Sequence, residues 1–187
     1  MKTIIEKKRP EGPLDYLSLA VTTFGVGYLP LMPGTFGSMV GVAIYLGFAS
    51  IDVIWERHWA PMHHFIPAQA QAVSIAVFLT VFLLFVLLGV WASGRSTHLL
   101  GNSDPPEAVV DEVMGQLITF LFVPFGIGWP FVLAGFLLFR LFDIWKPYPI
   151  DSLQVLPGGI GVCADDILAG AYAGVCLSVI YAISLSI

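Results

Sequence analysis

Long apolar runs separated by short polar segments dominate the hydropathy pattern of this chain. Apolar stretches of about 20 residues predict helices that cross a bilayer. Five spans are predicted, namely about Thr35 to Ile54, Ala68 to Trp91, about Val109 to the break at 124–130, Phe131 to Phe142, and Ile167 to Ile187. The prolines and glycines of that break (Pro124, Gly126, Gly128 and Pro130) predict a turn between two antiparallel helices.

A sixth apolar stretch, Leu14 to Leu31, is short and is interrupted by an aspartate, two glycines and a proline. We expect an N-terminal helix that lies in the membrane interface or enters the bilayer part way, with an ordinary span as the alternative. The predicted fold class is all-α, a polytopic helical membrane bundle with about five transmembrane helices. We expect one membrane-embedded domain over 1–187, in which 1–32 is the cytoplasmic N-terminus with the interfacial helix and 33–187 is the bundle.

The composition agrees with the hydropathy pattern. Hydrophobic residues make up 57% of the chain and charged residues 11%, whereas soluble domains average roughly 45–50% and about 25%. This excess of apolar residues excludes a water-soluble globule. The formal net charge is −5 and the one basic cluster is Lys7, Lys8 and Arg9, which excludes the basic stripe that a nucleic-acid partner requires.

The lysines and arginines predict the orientation of the bundle, because cytoplasmic loops are enriched in them. With a cytoplasmic N-terminus, only Arg57 falls on the outer side. The cytoplasmic set consists of Lys2, Lys7, Lys8, Arg9, Arg95, Arg140 and Lys146.

The same orientation places four polar segments on the cytoplasmic side: 33–38, 104–116, 140–150 and 156–166. With Asp151, which directly follows the third segment, they hold eight of the 13 acidic residues, which are Asp104, Glu107, Asp111, Glu112, Asp143, Asp151, Asp165 and Asp166. Carboxylates gathered at one membrane face repel one another unless a cation compensates them. We therefore expect a cation site at this face.

The acidic residues inside apolar runs are the candidate metal ligands, because an ionised carboxylate near the bilayer is costly unless it is paired. The predicted ligands are Asp111, Glu112, Asp165 and Asp166. A set of oxygen ligands without histidine or cysteine favours a hard cation, with Mg²⁺ first, then Mn²⁺ and Ca²⁺. Asp165 and Asp166 are also expected to open the last helix, where helix capping is the alternative role.

Arg140 and Lys146 flank Asp143 and are donors of the type that bind phosphate. Their alternative role is to anchor the end of a span at the interface. The hydroxyls of Thr35 and Ser38 follow Pro33 at a predicted helix start, where free N–H groups can receive an anion. A capped helix is the alternative there. Together these residues indicate a phosphate group next to the cation.

The four motifs, taken in order, resemble the phosphatidylglycerophosphatase A family. They read PGTFGS at 33–38, DPPEAVVDEVMGQ at 104–116, FRLFDIWKPYPI at 139–150 and PGGIGVCADDILAG at 157–170. The resemblance implies a Mg²⁺-dependent lipid phosphatase of the bacterial inner membrane that converts phosphatidylglycerol phosphate to phosphatidylglycerol. It also implies an acidic centre, formed by Asp111, Glu112, Asp143, Asp165 and Asp166, and a phosphate clamp, formed by Arg140 and Lys146.

The mechanistic hypothesis assigns catalytic roles to Asp111, Asp143 and Asp166, with Asp143 taking the proton of the attacking water as general base. An aspartyl-phosphate intermediate is the alternative to direct attack by water. A cysteine phosphatase is excluded, because neither Cys163 nor Cys176 has an arginine six residues later.

Two other functions remain as alternatives. A divalent-cation transporter would also carry intramembrane acids, although it needs polar residues through the midplane. A Mg²⁺-dependent lipid headgroup transferase lacks its Asp-Gly-x-x-Ala-Arg signature here. Gly170 and Gly174 predict close helix contact, either within one chain or between chains of an oligomer.

Overall fold

A computed structural model of the chain describes residues 5–186, and this part is all-α. Lys2, which belongs to the predicted cytoplasmic set, and Ile187, the predicted end of the last span, lie outside the described residues. The helices are α1 (Pro13–Thr23), α2 (Pro33–Ile54), α3 (Ala60–Met62), α4 (Pro67–Leu100), α5 (Val110–Thr119), α6 (Trp129–Trp145) and α7 (Gly158–Ser184). A π-helical turn, Trp55–Trp59, joins α2 to α3, and short 3₁₀ turns occupy Val26–Tyr28, Phe120–Phe122 and Ile150–Val155.

Three helices are long and apolar enough to cross a membrane: the run Pro33–Met62 with 30 residues, α4 with 34 and α7 with 27. Pro33 and Pro67 occupy the first positions of their helices. Proline is tolerated there because a backbone N–H at the first position would have no acceptor within the helix. Large apolar side chains project outward along α4, and Leu84 is 61% exposed. Such a surface is suited to lipid rather than to water.

Of the five predicted spans, three correspond to helices of membrane length in the described part of the chain. Helix α5 has 10 residues and α6 has 17, which correspond to about 15 Å and about 25 Å against a hydrocarbon thickness of about 30 Å. The two helices form the predicted hairpin, and at its largely exposed turn Phe125 packs on Tyr45 and Phe78. The apolar residues of α5 are covered by protein rather than lipid, because every residue except Glu112 is buried.

Helix α7 begins at Gly158, well before the predicted start near Ile167. Asp165 and Asp166 therefore lie about two turns inside the helix, and the prediction that they open it and interact with its N-terminal dipole is wrong. The glycines at the start of α7 serve close packing instead. A Cβ on Gly159 would overlap the carbonyl of Val90 in α4, so only glycine permits this backbone approach.

Helix α1 has 11 residues, too few to cross a bilayer, and it packs along α4. Arg95 Nε of α4 lies 2.6 Å from Asp15 Oδ1 of α1. The pKa of Asp15 is lowered by a hydrogen bond from the Glu11 backbone N–H and by Arg95, against an opposing effect of burial. Asp15 therefore stays ionised and ties α1 to α4, which gives Arg95 a structural role.

Small residues form the contact between α5 and α7, the two helices that pack most extensively. A Cβ on Gly170 would overlap the backbone carbonyl of Gly115, and a Cβ on Gly174 would overlap the ring of Phe122. The close contact predicted for Gly170 and Gly174 thus lies within one chain.

The contact at Gly170 leads to a stability prediction. Gly170→Ala is expected to destabilise the protein by about 1–3 kcal/mol, because the added methyl group forces the backbones of α5 and α7 apart. The measurement is the thermal midpoint in detergent. Gly47→Ala is the matched control, because nothing lies within 4 Å of a Cβ at Gly47 in α2, and alanine there should be neutral or slightly stabilising. Equal midpoints for the two variants would contradict the packing role of Gly170.

Candidate functional site

A cavity of about 410 Å³ opens at the end of the bundle where α2, α5 and α7 begin and α4 and α6 end. The lining residues come from all four motifs and include Pro33, Asp104, Asp111, Glu112, Asp143, Lys146, Gln154, Gly158, Asp165 and Asp166. The structure therefore brings the four polar segments together. The adjacent histidines of the 63–64 turn, at the start of α4, lie at the other end of the bundle.

Three carboxylates form the centre of the cavity, and we call them the acidic triad: Asp111, Glu112 and Asp166. One carboxylate oxygen from each lies within 4.8 Å of the others. Asp111 and Glu112 lie in the first turn of α5, and Asp166 comes from α7. Burial raises the pKa of Asp111, and the neighbouring charges of Glu112 and Asp166 raise it further. This arrangement of like charges favours a bound cation.

Lys146 extends into the cavity from the end of α6 and is surrounded by carboxylates. Its Nζ lies 2.5 Å from Asp165 Oδ2, 3.7 Å from Asp143 Oδ1 and 3.9 Å from Asp166 Oδ1. Burial alone would lower the pKa of Lys146, but the carboxylates of Asp166, Asp165 and Asp143 raise it above its ordinary value. The ammonium group is therefore charged at neutral pH and lines the cavity.

Arg140 lies beside the cavity and supports one of its walls. Its Nη1 is 2.6 Å from Asp143 Oδ2 and donates a 3.4 Å hydrogen bond to Ser38 Oγ. Ser38 is buried and donates to the carbonyl of Gly34. Thr35 is half-buried in the first turn of α2 and is not among the residues that line the cavity. Arg140 and Ser38 thus connect α2 to α6, while Lys146 is the cation that faces the cavity.

Asp165 lies outside the acidic triad and accepts hydrogen bonds from three donors. In addition to Lys146, the Gln154 side chain donates to Asp165 Oδ2 at 3.1 Å, and the Asp166 backbone N–H donates to Oδ1 at 3.1 Å. Asp165, which we predicted as a metal ligand, therefore contacts Lys146 and Gln154 in this structure. Sequence reasoning missed Gln154, because no motif marks a glutamine on the 3₁₀ segment Ile150–Val155.

The glycines of the first motif allow α2 to approach the acidic residues. A Cβ on Gly34 would overlap Glu112 Oε1, and a Cβ on Gly37 would lie 2.8 Å from Val109 Cβ. Larger residues at these two positions would push α5 away from α2. The PGTFGS motif thus serves the site in two ways: it starts α2, and its glycines leave room for the residues of α5.

The acidic triad is chemically suited to a divalent cation. It offers oxygen ligands, which hard cations prefer, and Glu112 Oε2 is buried without a hydrogen-bond partner among the described residues. Within residues 5–186, the ion pairs of the five carboxylates (Asp111, Glu112, Asp143, Asp165 and Asp166) involve two cationic side chains, Arg140 and Lys146. A divalent cation would offset this excess of negative charge.

Helices of membrane length, together with a cavity that combines acidic ligands and a lysine, are features expected of a membrane enzyme that acts on phosphorylated lipids. The family model of Phosphatidylglycerophosphatase A matches residues 19–181. The chain belongs to this family and is a lipid phosphatase.

The chain is also similar to three curated relatives, of which two carry the name of the family and one carries the name of another lipid phosphatase. A Haemophilus influenzae Phosphatidylglycerophosphatase A is 32% identical over 161 residues, covering 86% of this chain and 85% of the relative. The Escherichia coli Phosphatidylglycerophosphatase A is 30% identical over 153 residues, which cover 81% of this chain and 76% of the relative. A Bacteroides thetaiotaomicron protein, named "Putative phosphatidylinositol-3-phosphatase", is 34% identical over 174 residues, which cover 92% of this chain and 96% of the relative. No solved structure matches the chain.

The acidic triad leads to a prediction about cation binding. Mg²⁺ or Mn²⁺ should raise the thermal midpoint of the purified protein, because an ion that binds only the folded state stabilises it by mass action. Asp111→Asn removes one ligand charge and should reduce this rise. Asp151→Asn is the control, because Asp151 is exposed and is not among the cavity-lining residues. An equal rise in Asp111→Asn and in wild type would place the ion elsewhere.

Proposed function

We propose that the protein hydrolyses the terminal phosphate of phosphatidylglycerol phosphate and releases phosphatidylglycerol. The observation that carries this proposal is the acidic triad beside Lys146 in a cavity at the end of membrane-length helices. Two relatives named Phosphatidylglycerophosphatase A support the choice of substrate. Membership of a phosphatase family favours this activity over the transporter and transferase alternatives.

In the proposed reaction, water attacks phosphorus and the bond from phosphorus to the lipid headgroup oxygen breaks, giving an alcohol and inorganic phosphate. The side chains of Asp111, Glu112 and Asp166 would hold Mg²⁺, which supplies charge neutralisation at the phosphoryl oxygens and lowers the pKa of a nearby water. Lys146 neutralises the negative charge that develops on the phosphoryl group. Asp165 and Gln154 hold the lysine in place for this role.

Asp143 is the proposed general base, and it accepts the proton of the attacking water. Arg140, together with Ser38, fixes the orientation of this carboxylate through the 2.6 Å contact with Asp143 Oδ2. Asp143 Oδ1 is less tightly held, since its contact with Lys146 is 3.7 Å long. Asp143 Oδ1 is therefore the oxygen that accepts the proton of the attacking water in this proposal.

The location of the cavity suits a lipid substrate. Acyl chains that remain in the leaflet allow the headgroup to reach the end of the bundle without extraction of the lipid. We assign this end to the cytoplasmic face of a bacterial inner membrane, because Lys7, Lys8, Arg9, Arg95 and Lys146 lie at it and cytoplasmic loops favour basic residues.

A second candidate substrate is phosphatidylinositol 3-phosphate. It is supported by the Bacteroides thetaiotaomicron relative, whose printed name specifies that activity and whose length is covered to 96%. Both lipids present a phosphate monoester on a headgroup, so the same acidic triad and Lys146 would serve either.

The first experiment compares substrates. Phosphate release by the purified protein is measured in detergent from phosphatidylglycerol phosphate, phosphatidylinositol 3-phosphate and phosphatidic acid, each with Mg²⁺ or EDTA. We expect Mg²⁺-dependent release, fastest from phosphatidylglycerol phosphate. Asp166→Asn should lower kcat at least about 10²-fold, because it removes a ligand charge from the metal. Asp151→Asn should leave kcat unchanged.

Each contrary outcome has a defined meaning. Preferential release from phosphatidylinositol 3-phosphate would replace the first substrate with the second. Release that persists in EDTA, or full activity in Asp166→Asn, would refute the metal-dependent mechanism. A thermal midpoint for Asp166→Asn close to that of wild type shows that the variant is folded.

Lys146→Met tests the phosphate-binding cation. Loss of the ammonium should reduce kcat by about 10²–10³-fold, in line with the removal of one group that stabilises transition-state charge. Lys7→Met removes a lysine that is exposed at the N-terminus and should have no effect on kcat. A small effect in Lys146→Met, with kcat reduced less than about threefold, would assign the lysine to interface anchoring.

A further inference from the structure

Gln116 occupies a position that packing alone does not explain. Its side chain is fully buried in α5, at 0% exposure, and its amide nitrogen and oxygen have no hydrogen-bond partner among the described residues. A buried amide without a partner loses its hydrogen bonds to water and gains nothing in return. Methionine would fill the same space without that cost.

The nearest turn of α5 contains a complementary group. Glu112 lies four residues before Gln116, and residues at this spacing are neighbours on one helix surface. Glu112 Oε2 is also buried without a partner. A carboxylate oxygen accepts hydrogen bonds, and the glutamine amide offers two N–H donors.

Helix α2 confines both side chains. A Cβ on Gly41 would lie 2.7 Å from Gln116 Cβ and 3.0 Å from its Cγ, and a Cβ on Gly34 would overlap Glu112 Oε1. Glu112 thus rests against Gly34 and Gln116 against Gly41, about two turns further along α2. Glu112 lines the cavity, whereas Gln116 is not among the lining residues, so the amide lies beneath the acidic triad.

We propose that Gln116 is a positioning residue that donates an amide hydrogen bond to Glu112 Oε2, directly or through one bridging water, when the acidic triad holds a divalent cation. The bond fixes the orientation of the Glu112 carboxylate and leaves its other oxygen for the cation. Groups that orient a metal ligand in this way typically change metal affinity by about 10–100-fold. The inference rests on the cation site of the proposed function and does not depend on the substrate.

The test measures Mn²⁺ binding to the full chain in detergent by electron paramagnetic resonance, with Mn²⁺ as the probe. Gln116→Met is expected to raise the Kd of the triad site by about tenfold or more, because Glu112 loses its donor. Its thermal midpoint without metal should stay equal to or above that of wild type, since a partnerless amide has been removed. In phosphate release, the Mg²⁺ concentration for half-maximal activity should rise more than kcat falls.

Thr119→Val provides the matched control. Thr119 is also a buried polar residue of α5, and its hydroxyl donates to the Gly115 carbonyl at 3.0 Å. The variant should lower the thermal midpoint and leave the Mn²⁺ Kd unchanged. An equal loss of Mn²⁺ affinity in Thr119→Val and Gln116→Met would mark a general loosening of α5 and overturn the positioning role.

Two further outcomes separate this inference from the proposed function. A wild-type Kd in Gln116→Met overturns the role of Gln116, while tight binding by wild type that is lost in Asp111→Asn upholds the cation site. Equal Mn²⁺ binding in wild type and Asp111→Asn overturns the cation site itself, and the role of Gln116 falls with it.

Discussion

The imbalance of charge at one end of the bundle is the constraint on which the rest of the structure depends. Buried carboxylates are costly in an apolar surrounding unless they are paired or bind a cation. Lys146 meets part of this need, because it contacts Asp143, Asp165 and Asp166 at once. Its left-handed backbone, with φ 45°, ends α6 at the point where the side chain can extend into the cavity. The remaining negative charge is concentrated in the acidic triad, which is why a divalent cation suits the site.

Glycines bring the charged residues together. Helices in a membrane gain little from the hydrophobic effect between them, so they associate through close backbone contact at small residues. Gly34, Gly37 and Gly41 of α2 form such a surface for α5, and Gly115 meets Gly170 of α7. Helix α5 is therefore enclosed by helices on both sides, and its first turn delivers Asp111 and Glu112 to the cavity.

The sequence predicts the starts of α2, α4 and α6 and the meeting of the four motifs better than it predicts the start of α7 or the length of α5. Pro33 marks the start of α2 in the prediction and in the structure. The alternating direction of successive helices brings the acidic segments to one end of the bundle. Hydropathy cannot distinguish a side chain buried by protein from one buried by lipid, so α5 reads as a span although it has 10 residues. Likewise, hydropathy does not reveal that Gly159 makes a close backbone contact with α4. The partners of Asp165 depend on a 3₁₀ segment that no periodicity reveals.

The short hairpin of α5 and α6 has a consequence for the behaviour of the protein in different membranes. At its turn, Phe125 packs on Tyr45 and Phe78, while Pro124, Gly126 and Gly128 are exposed. A bilayer that becomes thinner or thicker acts on helices through the mismatch between their apolar length and the hydrocarbon layer, and helices respond by tilting. That force acts on α2, α4 and α7, the helices of membrane length. Asp111, Glu112 and Asp143 are carried by the hairpin and Asp166 by α7, so a tilt of α7 relative to the hairpin would change the spacing of the acidic triad.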